Sequence, residues 1–98
     1  MPLFAVTCTD APDSLAKRLE VRPRHVERLK ALQTNGQIIL AGPCPKNPDD
    51  NTAGFYGSLL VLDFPDRASL DSWLADEPYL LEGVYTQIDV KPFIQVLP

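Results

Sequence analysis

The sequence predicts an α+β fold with the ferredoxin-like order β-α-β-β-α-β and an antiparallel sheet. Three observations carry that expectation. Short apolar runs of strand length alternate with longer stretches that have helical apolar spacing. Turn chemistry separates them at Asp10-Ala11-Pro12-Asp13, Asn35-Gly36, Pro43–Ala53 and Pro65-Asp66. None of the ten prolines falls inside a proposed helix, and only Pro92 falls inside a proposed strand.

The first strand is expected over Leu3–Thr9, with Phe4, Val6 and Cys8 on one face. A helix follows from about Ser14, with Asp13 as N-cap and Leu15 and Leu19 on one face. Pro23 disfavours helical geometry at Arg22 and suits the first turn of a new helix, so the helix is expected to break there. The second piece carries His25, Val26, Leu29 and Leu32, and Asn35-Gly36 ends it. Gln37–Gly42 reads as the second strand, Pro43–Ala53 as a long loop of the kind that serves as a lid, and Gly54–Phe64 as the third strand. Asp66 should cap a helix whose buried stripe is Leu70, Trp73 and Leu74, closed by Pro78. The last strand runs from Val84 to Val96, where Pro92 implies a bend or an edge position.

Ninety-eight residues make one domain, over residues 1–98, with 45% hydrophobic and 22% charged residues, the balance of a globular chain. A net charge of −4 argues against nucleic acid and anionic membrane as partners. The run Leu3–Val6 is too short for a signal-peptide core, and nothing reaches the length of a membrane span. Cys8 and Cys44 have no metal spacing and read as reduced thiols of a cytoplasmic protein, with a Cys8–Cys44 disulfide as the alternative. No phosphate loop, metal-ligand spacing or serine elbow is present, so no cofactor and no metal are expected.

A sheet with helices on one face leaves its other face open, and strands there should alternate apolar and polar residues. Ile38-Ile39-Leu40 and Leu59-Leu60-Val61-Leu62 do not alternate. An apolar patch of that extent calls for a cover, and the simplest is a second copy related by a two-fold axis. Whether Leu59 or Leu60 faces the partner depends on strand register.

His25, the only histidine, falls on or beside the helix face that carries Leu29 and Leu32. It reads either as a buried histidine that holds the helix to the sheet or as a general acid or base. A base of this kind needs a carboxylate, and Asp76 and Glu77, just before Pro78, are the candidates by position. Arg18 and Arg22 approach the same face and could clamp an anion, or could be solvated. Asp10 ends the first strand, where turn formation already accounts for it.

Several blocks in order resemble the YciI-like (YCII-related) family: Asp13–Leu19 with Arg22-Pro23-Arg24-His25, Leu40–Pro43, Ala53–Ser58, Pro78-Tyr79, and Gly83-Val84-Tyr85 with Val90–Phe93. The resemblance implies a dimeric α+β barrel, in which two ferredoxin-like sheets face each other, and a His–Asp pair in a cleft. His25 matches the family's histidine. The family's acid stands directly before a proline, and that position here is Glu77, with Asp76 one residue earlier. Ser58 and Tyr79 fall in the matching blocks and, with Arg22, Arg18 and Asp10, complete the candidate substrate-binding set. Two functions follow. One is a cofactor-free lyase or isomerase in which His25 moves a proton on a small metabolite, anionic or ring-shaped. The other is a non-catalytic module that binds a small ligand.

Overall fold

The computed structural model describes residues 2–98. Strands β1 (Leu3–Asp10), β2 (Ile38–Pro45), β3 (Phe55–Asp63) and β4 (Tyr85–Phe93) form one antiparallel sheet in the order β2-β3-β1-β4. Helices α1 (Leu15–Thr34), α2 (Arg67–Ala75) and α3 (Pro78–Leu81) pack on one face of it. The ferredoxin-like α+β order is therefore present, with one short helix added before β4.

The core follows from period-two alternation in the central strands. Phe4, Val6 and Cys8 of β1 point to the helices, and their partners Leu62, Leu60 and Ser58 on β3 do the same. Val21 and Leu32 of α1, Leu70 and Leu74 of α2, and Tyr79 of α3 close the core from above. This register settles the Leu59–Leu60 question. Leu60 is core, while Leu59 lies on the open face with Leu40, both exposed apolar residues. Val61, opposite Leu40, is buried but lies outside the core cluster.

Four local expectations are corrected. The first helix does not break: α1 runs unbroken through Pro23. Proline removes one intrahelical bond at a cost of roughly 3 kcal/mol, but the buried residues Val21 and His25 anchor the helix on both sides of it, and Pro23 itself points to solvent. The N-cap position is Ser14, and Asp13 adopts a left-handed turn conformation at φ 56° instead. β2 is longer than expected and includes Pro43 and Pro45, which an edge strand tolerates because one side of its backbone has no partner. The connection to β3 shrinks accordingly to residues 46–54, with a 3-10 turn at Asn51–Ala53. Finally, Pro78 does not merely end α2 at Ala75 but starts α3 at its first position.

Two expectations hold in detail. Asp66 caps α2 by accepting from the Ser69 amide at 2.8 Å. Pro92 lies in β4, the other edge strand, although that strand ends at Phe93 rather than at the expected Val96. Among the described residues no helix is long and apolar enough to cross a membrane.

Candidate functional site

The site is built where α1 crosses the end of the sheet near α3. The residue before a proline is held in extended geometry, and Glu77 has φ −65° and ψ 120°. That places it at the N-cap of α3, where its Oε1 accepts from the Tyr79 amide at 3.2 Å. The same oxygen lies 2.6 Å from His25 Nδ1. Both side chains are buried, Glu77 to 1% exposure. The second oxygen, Oε2, lies 3.6 Å from Arg28 Nη1, close enough for charge attraction but without a hydrogen bond. Arg28 is fixed by stacking on Trp73 and by donating from Nη2 to the Trp73 carbonyl. Glu77 thus has a full positive charge beside it whatever the state of the imidazole.

The Tyr79 ring stacks on His25 with centroids 4.1 Å apart and fixes the imidazole plane. Glu77 holds Nδ1, which in the neutral ring makes Nδ1 the donor and leaves Nε2 the acceptor. No hydrogen bond to Nε2 is found among the described residues. His25 lines a cavity of about 150 Å³ whose walls also include Arg22, Arg18, Ser58, Tyr79 and Pro43. A larger space of about 630 Å³ adjoins it, and Arg22 and Pro43 belong to both walls.

A second buried cluster sits beside the first. Arg18 donates to Asp10 from Nε at 2.8 Å and from Nη2 at 3.4 Å, to Ser58 Oγ at 2.7 Å and to the Gly57 carbonyl at 3.2 Å. Tyr85 Oη donates to the same Ser58 oxygen at 2.7 Å. Gly57 lets this happen: a Cβ there would collide with the backbone carbonyl of Cys8. The Arg18 guanidinium also lies over the Phe55 and Tyr79 rings, 4.8 and 4.6 Å from their centroids. Burial works against the Arg18 charge, but the hydrogen bond and charge of Asp10 outweigh it and its pKa rises. Burial also raises the Tyr79 hydroxyl pKa and pushes the Cys8 thiol up to about 12.

The sequence-predicted residues therefore divide. His25, Tyr79 and Arg22 line the small cavity, and Glu77 stands behind it, in contact with His25. Arg18 and Ser58 border it but are already bonded within the protein, and Asp10 is buried against Arg18. Asp76 is the exposed C-cap of α2 and does not meet His25. Sequence reasoning missed Arg28 and Tyr85. Arg28 was within reach of it, since it stands three residues after His25, one turn along the same helix face. Tyr85 was also within reach, since it falls in the family-matching block Gly83-Val84-Tyr85 just as Ser58 and Tyr79 fall in theirs.

The YCII-related domain matches residues 2–94. The chain belongs to that family. It is 40% identical over 96 residues to protein YciI of Escherichia coli O6:H1, covering 96% of this chain and 98% of that one. An uncharacterized protein of Haemophilus influenzae is 40% identical over 95 residues, covering 95% and 97%. Among solved structures, 5-chloro-2-hydroxyhydroquinone dehydrochlorinase (TftG) from Burkholderia phenoliruptrix, in complex with 2,5-dihydroxybenzoquinone, superimposes with a TM-score of 0.84 at 22% identity. That match covers 94% of this chain and 93% of TftG. A likeness at that identity establishes the shared fold.

Proposed function

We propose that this chain is a cofactor-free enzyme of lyase or isomerase type in which His25 and Glu77 form a general acid–base pair. The observation that carries the reading is the 2.6 Å contact of Nδ1 with buried Glu77 while the imidazole lines a cavity. Glu77 orients the ring and stabilises the imidazolium that forms when Nε2 takes a proton from substrate. Nε2 then returns the proton elsewhere on the molecule, or the substrate expels a leaving group. Arg22 offers an anion anchor at the cavity mouth. A cavity of this size holds about one benzene-sized ring. The dehydrochlorinase name of the TftG structure and its quinone ligand fit elimination chemistry on a small ring.

The test is a thermal-shift screen of small cyclic and anionic metabolites, followed by turnover assays on the hits in deuterated water. A binder raises the melting temperature because it favours the folded state. His25→Asn should lower turnover about 10²–10⁴-fold while the folded chain persists. Hits that bind equally well to both proteins, with neither exchanging deuterium, favour a ligand-binding module instead.

The same reading includes a homodimer through the open sheet face. Leu40 and Leu59 are exposed there, and burying such a side chain is worth about 1.5–3 kcal/mol. Light scattering should give about twice the 10.9 kDa chain mass. Leu59→Lys should shift the population to monomer, whereas a wild-type monomer at micromolar concentration refutes the dimer.

A further inference from the structure

The small cavity at His25 leaves the adjoining 630 Å³ space unexplained. The first turns of α1 are inverted relative to an ordinary amphipathic helix. Charged Arg18 points into the core, while Leu15 and Leu19 point outward, Leu19 at 58% exposure. The two leucines form one wall of the 630 Å³ space, and Pro43, Pro45 and Phe55 face them. That volume lies within the roughly 300–1,000 Å³ typical of small-molecule sites, and a largely apolar lining with few polar groups is their usual character.

Charge supplies the second observation. Arg18, Arg24, Arg28 and Arg67 each have a carboxylate within 4.0 Å. Among the described residues none is found for Arg22. It stands where the two spaces adjoin. It also lies three residues before His25, so their Cβ atoms are about 5–6 Å apart on one helix face. A planar guanidinium suits bidentate capture of a carboxylate. The chain's net charge of −4 repels a multiply charged anion more than a singly charged one.

Resting on the reading of His25 as the base, we propose that the substrate is an amphiphilic monocarboxylate. Its apolar body lies between Leu15, Leu19 and Phe55, its carboxylate pairs with Arg22, and the carbon next to the carboxylate reaches into the small cavity beside His25. The proposal names a class larger and more apolar than the small cavity alone would hold.

Isothermal titration calorimetry with octanoate, octylamine and acetate tests it. Octanoate should bind at least tenfold more tightly than octylamine, and acetate should give no measurable heat. Arg22→Gln, a change at an exposed residue, should cost octanoate at least tenfold and erase its advantage over octylamine. Leu19→Asp should weaken octanoate by a similar factor. Octanoate-induced amide NMR shifts should centre on Leu15, Leu19 and Phe55. Equal binding of octanoate and octylamine, indifference to Arg22→Gln, or shifts centred on Leu40 and Leu59 of the open sheet would each overturn the proposal. His25→Asn should still bind octanoate at wild-type affinity, because the carboxylate pairs with Arg22. Octanoate binding as expected in a wild-type protein that turns over no monocarboxylate keeps the binding site and discards the base.

Discussion

Two buried ionic clusters hang from one helix, seven residues apart, and they are finished differently. Around Arg18, Nε and Nη2 bond Asp10, Ser58 and the Gly57 carbonyl, and among the described residues no buried polar atom of this cluster is left without a partner. Around His25, groups are left over. Among the described residues Glu77 Oε2 and Arg28 Nη1 lack hydrogen bonds, and the imidazole has a partner on Nδ1 alone. Buried polar groups are normally satisfied, so an incomplete set beside a cavity marks a place where something other than the fold sets the arrangement. The complete cluster pins β1, α1 and β3 together, and the incomplete one keeps bonding capacity in reserve. Tyr79 lies against both, with its ring stacked on His25 and under the Arg18 guanidinium, so the rigid cluster braces the reserved one.

The largest effect should come from breaking the complete cluster. Asp10→Ala leaves the Arg18 charge buried without its partner, and removing one member of a buried pair costs about 3–5 kcal/mol. Urea unfolding measures this. His25→Asn should cost clearly less stability, because Glu77 keeps Arg28 and the Tyr79 amide. Equal losses in the two variants would erase the distinction between the clusters.

A smaller change separates the two duties of Glu77. Glu77→Asp shortens the side chain by one methylene but supplies a residue favoured at N-caps, so the cap of α3 should survive. The stability change should stay within about 1 kcal/mol, the size of a typical cap. The contact with His25 should lengthen, and turnover should fall while the melting temperature barely moves. Parallel losses of both would mean that the contact with His25 serves the fold alone.

These pairs also show how far the sequence could be read. The strands, the Asp66 cap and the edge position of Pro92 were legible because each depends on local chemistry: alternation, a capping oxygen, a missing amide. His25 and the pre-proline position of Glu77 were legible by residue type and by family resemblance. The resemblance favoured Glu77 over Asp76, but residue type alone left both open, because the choice depends on the turn that separates α2 from α3, which packing of Tyr79 into the core sets. The continuity of α1 through Pro23 was illegible for the same reason. Local propensity favoured a break, and contacts made by Val21 and His25 with distant residues overrode it. The outward turn of Leu15 and Leu19 was hidden because hydrophobic periodicity names a face but not whether sheet or cavity lies opposite it.

At neutral pH the smallest effect belongs to Cys8, beside the complete cluster. Burial is the main reason its thiol titrates at about 12 rather than 9.0. The sign follows from which form the fold prefers. The folded chain favours the protonated thiol, so this contribution is whole below pH 9 and declines as pH rises from about 9 towards 12. The slope from one such group is at most about 1.4 kcal/mol per pH unit. Cys8→Ala should therefore match the wild-type pH dependence below pH 9 and lose stability less steeply above it. Thiol labelling gives a faster check. At pH 8 iodoacetamide should modify the half-buried Cys44 and spare Cys8 until the chain unfolds. Rapid labelling of Cys8 in the folded protein would mean that water reaches the Asp10–Arg18–Ser58 cluster, and the contrast between a closed cluster and an open one would fail at its closed end.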